Sequence, residues 1–236
     1  MNNFNADIDC KCVDVDAFNN MASSKENKLS FLTINVRGLR GKYQELLTYI
    51  NSFNINFTFI ILTEVWLSDD LNMGFNIPLY ESIACLRKNR SGGGIMVYFS
   101  DQLNATVVEE KTGICLNCES LLLNCYIHGI GNIYVWAIYR PPNGSIDSFS
   151  TYLENNLSFF KDKRCILAGD FNLDIFKSNS APSVMRYINL MQSYGYIMCI
   201  SKATYLSPIR GELTSCLDQY WHNLRTCSKS FVVGPP

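Results

Sequence analysis

The chain has 236 residues, of which 47% are hydrophobic and 17% are charged, a composition typical of a globular protein. Lys and Arg number 20 against 21 Asp and Glu, so no global basic field attracts nucleic acid, and any such binding needs local basic patches. We find no signal peptide and no apolar run as long as a membrane span. The ten cysteines are therefore expected to be reduced thiols in an intracellular protein, nuclear or cytoplasmic.

The chain divides into a polar lead-in and one larger domain. Residues 1–28 have no sustained hydrophobic period and predict a flexible N-terminal segment. Residues 29–236 form the domain, which opens with a strand over 29–35, an amphipathic helix over 42–53 and a buried strand over 57–63. This order of elements predicts an α/β fold with a mixed sheet.

The rest of the domain continues the alternation of strands and helices. A basic, glycine-rich turn joins two strands and predicts a hairpin, since the Gly-Lys-Ser/Thr of a phosphate-binding loop is missing. The predicted strands are 82–86, 95–99, 120–127, 132–139, 165–168, 196–200 and 214–221, with a start of another at 231, and the predicted helices cover 149–160 and 182–191.

Polar side chains stand at the ends of several predicted strands. One such residue alone usually marks a turn or a helix cap, but repetition at strand ends is typical of a site. Oxygen ligands favour Mg²⁺, and an acid, amides and a phenol suit metal-assisted phosphodiester hydrolysis. These residues are Asn35 and Asn172 to orient water or phosphate, Glu64 as the metal ligand, Asp170 as proton acceptor, Tyr139 as donor to developing charge, and Asp218.

Taken in order, these motifs resemble the endonuclease/exonuclease/phosphatase superfamily, and within it the endonuclease domains of non-LTR retrotransposons. The segments that carry the resemblance are Asn35, Leu62-Thr63-Glu64-Val65-Trp66-Leu67, Arg90-Ser91-Gly92-Gly93-Gly94, Tyr139-Arg140-Pro141-Pro142, Gly169-Asp170-Phe171-Asn172 and Ser215-Cys216-Leu217-Asp218.

The resemblance implies a four-layered α/β sandwich, with two mixed sheets face to face and helices outside. It implies one Mg²⁺ or Mn²⁺ held chiefly by Glu64 with help from Asn35. It further implies that Thr204 contacts phosphate and that Asp218 orients a catalytic histidine. In a retrotransposon such a domain nicks DNA to prime reverse transcription, and the parent element continues into a reverse transcriptase.

Basic residues near the strand ends are candidates for phosphate contacts. Arg37 follows the first strand, and Arg140 lies in a loop that two prolines stiffen, which makes it the preferred candidate. Trp66 and Tyr139 are candidates for stacking on bases, although Trp66 also suits a place in the core.

One departure from the family pattern affects the expected activity. The family pattern ends in Ser-Asp-His or Asp-His, and this sequence reaches Pro236 where that segment should follow. His128 and His222 are poor substitutes by position. Loss of a general base or acid costs about 10²–10⁴ in rate, so we expect a C-terminally truncated domain, lacking its last strand, with weak or no turnover. The alternatives are a phosphatase of the same superfamily and an inactive remnant that only binds nucleic acid or protein.

Overall fold

The structure is a computed structural model, which describes residues 9–22, 29–67, 74–88, 92–224 and 229–234. The strands are β1 (Asp9–Val13), β2 (Phe31–Asn35), β3 (Phe59–Thr63), β4 (Tyr80–Cys85), β5 (Ile95–Ser100), β6 (Asn104–Val107), β7 (Gly113–Ile114), β8 (Glu119–Ile127), β9 (Gly131–Tyr139), β10 (Cys165–Asp170), β11 (Ile197–Met198), β12 (Tyr205–Leu206), β13 (Leu213–Ser215), β14 (Asp218–His222) and β15 (Lys229–Val233). The α-helices are α1 (Val15–Met21), α2 (Leu39–Asn51), α3 (Ile146–Leu157) and α4 (Pro182–Ser193).

Two mixed sheets form the centre of the fold. The first has the order β2-β3-β5-β4, with β2 parallel to β3 and the other pairs antiparallel. The second has the order β11-β14-β10-β9-β8-β6, with β7 also on β8, and only β9 and β10 run parallel. The predicted hairpin of β4 and β5 is confirmed.

The sheets pack face to face, and helices cover their outer faces. Alternate residues of a strand point to opposite faces, so Ile61 of β3 meets Val135 and Ile166 of the second sheet, whereas Leu62 faces the helices. The outer face of the first sheet is covered by α1 and α2, and that of the second by α3 and α4. The predicted four-layered sandwich is therefore confirmed. Of the helices in the described part of the chain, none is both long and apolar enough to cross a bilayer.

The N-terminal segment corrects one expectation. Within the predicted flexible segment 1–28, residues 9–22 form β1 and α1 and are not a flexible lead-in, whereas residues 1–8 and 23–28 lie outside the described residues. Phe18 of α1 is buried, and its ring contacts those of Phe53, Phe57 and Phe231. A helix as short as α1 is only marginally stable in isolation, so the ring contacts account for its formation. These contacts join residues far apart in the sequence, and a local sequence pattern does not reveal them.

The C-terminal strand also differs from expectation. β15 pairs in parallel with β1 and belongs to neither main sheet. Within the described residues β2 pairs with β3 alone, and its other edge lines a cleft of about 2400 Å³. This edge of the first sheet thus lies at the cleft that also holds the polar strand ends.

Candidate active site

Strand register brings the predicted polar residues to one end of the two sheets. Asn35 ends β2 opposite Thr63, so Glu64 follows directly beside it. In the second sheet Asp170 lies opposite Tyr139 on one side and Asp218 on the other. The two parallel strand pairs, together with the start of the antiparallel strand β14, therefore place three acids, one amide and one phenol at the same end of the sandwich.

The amide of Asn35 joins the two sheets. Its Nδ2 donates to Glu64 Oε1 and to Asp170 Oδ2, each at 2.8 Å. The hydroxyl of Tyr139 donates to the same Glu64 oxygen at 3.2 Å. Because both carboxylate oxygens lie 2.8 Å from one nitrogen, they can be no more than twice that distance apart. Glu64 and Asp170 thus meet, as the hydrolysis hypothesis requires.

Backbone strain is concentrated at this site. Positive φ angles are uncommon for residues other than glycine and cost about 1–3 kcal/mol each. Among the described residues, five non-glycine positions have them, and four adjoin the site: Arg37, Glu64, Trp66 and Asn172. The hydrogen bond from the Gly38 N–H to the Glu64 carbonyl, at 2.8 Å, helps to hold this conformation.

Asp170 is held by the turn that follows β10. Its Oδ1 accepts the backbone N–H of Asn172 at 2.9 Å, an Asx turn, while the Asn172 amide donates to the Arg140 carbonyl at 2.9 Å. Burial raises the pKa of Asp170. The Asx turn is thus part of the site, because it fixes the orientation of the Asp170 carboxylate.

Asp218 and Thr204 form a second acidic position beside Asp170. Thr204 Oγ1 accepts the N–H groups of Leu217 at 3.1 Å and Asp218 at 3.0 Å. Burial, followed by the neighbouring Asp170 charge, raises the pKa of Asp218 to about 7. Thr204 therefore lies at the site and positions Asp218; its contact with phosphate stays a prediction.

The raised pKa of Asp218 predicts a pH-dependent stability. An acid whose pKa is higher folded than unfolded binds protons more tightly when folded, so the chain should become more stable as pH falls from about 8 to about 5. Without divalent metal we expect a gain on the order of 2 kcal/mol, or about 5 °C in melting temperature. Asp218→Asn should flatten this slope and the exposed Asp101→Asn should not; equal slopes in both variants would contradict the assignment.

Arg140 corrects a sequence-based prediction. Its guanidinium is buried, with only 2% exposed. It donates to the carbonyls of Phe171 at 2.7 Å, Gly144 at 2.5 Å and Asn172 at 2.6 Å. Arg140 therefore holds the loop after β10 and does not face substrate. The prediction was wrong because the two prolines indicate a stiff loop but do not determine the direction of the Arg140 side chain. Arg37 is exposed and lines the cleft, in keeping with its predicted place.

Sequence reasoning missed Glu119, at the start of β8. It is 1% exposed, forms an ion pair with Arg87 and accepts the Gly94 N–H at 2.5 Å. The carbonyls of Gly93 and Gly94 in turn accept the N–H groups that follow Glu64. Glu119 thus supports the glycine turn and, through it, Glu64. The sequence signal that could have revealed Glu119 is a charged residue at the first position of a long apolar strand.

Neither histidine of the chain lies at the site, as expected. His222 is four residues along β14 from Asp218, or about 13 Å away, and its Nδ1 accepts the Leu224 N–H at 3.1 Å. His128 lies in the turn between β8 and β9, at the opposite end of the strand that finishes with Tyr139.

The donor set fits a hard divalent cation. In the described residues no three His, Cys, Asp or Glu side chains converge into a complete cage, but Mg²⁺ commonly uses one or two carboxylates with water and phosphate. Neither Glu64 nor Asp170 has a Lys or Arg nitrogen within 4.0 Å among these residues, so neither carboxylate forms an ion pair there. Asn35 Oδ1 accepts the Arg37 N–H at 3.2 Å, and its nitrogen, turned toward the acids, organises them; a role of Asn35 as a metal ligand stays a prediction.

A family model described as "Endonuclease/Exonuclease/phosphatase family" matches residues 32–227, which include Asn35, Glu64, Tyr139, Asp170 and Asp218. The chain belongs to the endonuclease/exonuclease/phosphatase family. This confirms the resemblance inferred from the motifs. Members of the family are hydrolases of phosphate esters, so an enzyme is supported at this level. A search of curated proteins gave no match.

Solved structures of the family share the fold at low identity. The endonuclease domain of TRAS1, a telomere-specific non-LTR retrotransposon, has 12% identity and a TM-score of 0.61, over 81% of this chain and 82% of that one. The AP endonuclease LMAP from Leishmania major has 16% identity and a TM-score of 0.63, over 85% and 84%. A 3′ phosphatase, NExo from Neisseria, has 11% identity and a TM-score of 0.52, over 83% and 86%. These likenesses extend to the fold and leave the substrate open.

Proposed function

We propose that this domain is a divalent-metal-dependent endonuclease that nicks DNA, of retrotransposon type, with a parent element that continues into a reverse transcriptase. The observation that carries the hydrolytic part is the Asn35 amide, which holds the Glu64 and Asp170 carboxylates together at 2.8 Å each. Two acids brought together in a cleft between sheets suit the hydrolysis of a phosphodiester.

Each residue has a proposed task. Glu64 holds the metal, Mg²⁺ or Mn²⁺, which would neutralise charge on the phosphate. Asp170 accepts a proton from the attacking water, and Tyr139, whose pKa burial and Glu64 raise, remains a protonated donor to the phosphate. Asn172 contacts the phosphate through its side chain, and Asp218 lies opposite Asp170 on the neighbouring strand β14.

Two features favour a polynucleotide over a small phosphoester. Trp66 is 50% exposed, two residues after Glu64, and its N–H donates to the Gly93 carbonyl at 2.9 Å. The ring lies against Gly38, where an added Cβ would come 2.9 Å from it. A half-exposed aromatic ring is suited to stacking on a base. Arg37 and Lys42 line the cleft that holds Glu64 and Asp170 and would contact phosphates along a strand.

The proposal is tested by incubating the chain with supercoiled plasmid, abasic oligonucleotide and inositol phosphate in Mg²⁺ or Mn²⁺. We expect slow nicking of plasmid that is abolished by EDTA, slow because His128 and His222 both lie away from the site. Asp170→Asn should lose the activity, and Asp101→Asn should keep it. Preference for inositol phosphate would favour the phosphatase alternative, and metal binding without turnover on any substrate would favour the binding-only one.

Trp66→Ala should separate polynucleotide binding from chemistry. Stacking contributes about 1–3 kcal/mol per base, so we expect the KM for plasmid to rise about tenfold while hydrolysis of bis(p-nitrophenyl) phosphate is unchanged. Trp66→Phe should restore most of the KM. An equal loss on both substrates would show that the ring supports the site and does not bind bases.

A further inference from the structure

Two cysteines outside the active site face each other across a tight hairpin. β7 and β8 pair so that Ile114 lies opposite Glu119, which makes Cys115 and Cys118 the next pair around a two-residue turn. The Cys115 N–H donates to the Cys118 carbonyl at 2.9 Å and closes this turn. The two side chains therefore start from directly opposed backbone positions.

The two sulfur atoms are already close. Cys115 Sγ and Cys118 Sγ are 3.5 Å apart, and the Cys118 N–H points at Cys115 Sγ at 3.3 Å. Hydrogen-bonded cross-strand residues have Cα atoms about 5.5 Å apart, within the range of about 4.4–6.8 Å seen in disulfides. Forming an S–S bond of about 2.05 Å thus requires a small rotation of side chains and no change of the hairpin.

The pair is asymmetric in its access to solvent. Cys115 is exposed and adjoins Leu116, which is 95% exposed, whereas Cys118 is 1% exposed. Burial raises the pKa of Cys118, and the neighbouring Cys115 thiol adds to the effect. A dissolved reagent can reach only Cys115, so Cys115 is the attacking thiol and Cys118 the resolving one.

We propose that Cys115 and Cys118 form a thiol–disulfide exchange site whose reagent is a small dissolved disulfide such as oxidised glutathione. The Cys115 thiolate attacks one sulfur of that disulfide, which breaks its S–S bond and releases one thiolate. The buried Cys118 thiol gives its proton to the thiolate just released and attacks Cys115 Sγ, which releases the second thiolate. Two electrons pass from the protein to the reagent, and both released thiolates take up protons.

Mass spectrometry of the full chain tests this site. After incubation with oxidised glutathione and alkylation of remaining thiols, we expect a peptide that has lost two hydrogens, with the bond between Cys115 and Cys118 located by fragmentation. In Cys118→Ser the glutathione should stay on Cys115, and in Cys115→Ser no bond should form. Cys12→Ser, at an exposed cysteine of β1, should behave as the unaltered chain.

Other outcomes decide against the site. Stable glutathione on Cys115 of the unaltered chain, or no modification of either thiol, would overturn the proposal. Because Cys118 is buried, its variant is also checked by circular dichroism. If it does not fold, the rate at which Cys115 of the unaltered chain loses its glutathione adduct decides the matter, since a resolving thiol must make that loss fast.

Discussion

Replacing Glu64 with Gln should reduce metal-dependent plasmid nicking by about two to four orders of magnitude, to the level without protein. The side chain keeps its size and can still accept from Asn35 and Tyr139, but it loses the charge that would hold the cation. The same variant should lose the rise in melting temperature that Mg²⁺ gives the unaltered chain. Agarose-gel nicking assays and thermal denaturation measure the two effects.

The matched control is Glu45→Gln, at an exposed carboxylate of α2, which should leave nicking and the Mg²⁺ effect intact. Without metal, Glu64→Gln should melt no lower than the unaltered chain, because removing one charge from an acidic cluster relieves repulsion. If Mg²⁺ still raised the melting temperature of Glu64→Gln, Glu64 would not be the metal ligand.

Replacing Gly169 with Ala should destabilise the fold by more than about 3 kcal/mol. Gly169 has φ of +146°, and an added Cβ would lie 1.9 Å from the Ile138 carbonyl oxygen of the parallel strand β9. The methyl group would force β9 and β10 apart next to Tyr139 and Asp170. Urea denaturation of the purified variant, or its absence from the soluble fraction, measures this effect.

Gly41→Ala is the control for the general effect of adding a methyl group. Gly41 lies in α2, and an added Cβ would meet nothing within 4 Å. Alanine is the better helix former, so this variant should gain about 0.5–1 kcal/mol. A similar change in both variants would mean that contact between β9 and β10 is looser than the structure indicates.

Local pattern was sufficient to predict most of the main strands and the polar residues at their ends. The run around Ile61 and that around Leu167 are continuous and apolar because each strand is buried on both faces. The positions of Glu64 and Asp170 follow directly from where such runs end. These signals come from residues adjacent in the sequence, so they can be recognised without knowing which strands pair in the fold.

The missed features depend on distant partners. Arg140 and Glu119 are charged residues whose burial is offset by carbonyls, an arginine and a backbone amide far along the chain. Helix α1 depends on rings such as Phe231, more than 200 residues away. Sequence spacing cannot reveal such pairs. The direction of the Asn35 amide was equally hidden, because it is set by Glu64 and Asp170 together.

The left-handed backbone positions around the acids have a consequence for directed evolution. Each of Arg37, Glu64, Trp66 and Asn172 has a φ between +44° and +55°, where glycine would fit without strain. A library selected for heat resistance alone should therefore accumulate glycine at these positions and discard the side chains to which roles in the proposed function are assigned. Selections for higher thermal stability of this protein should leave these four residues unchanged.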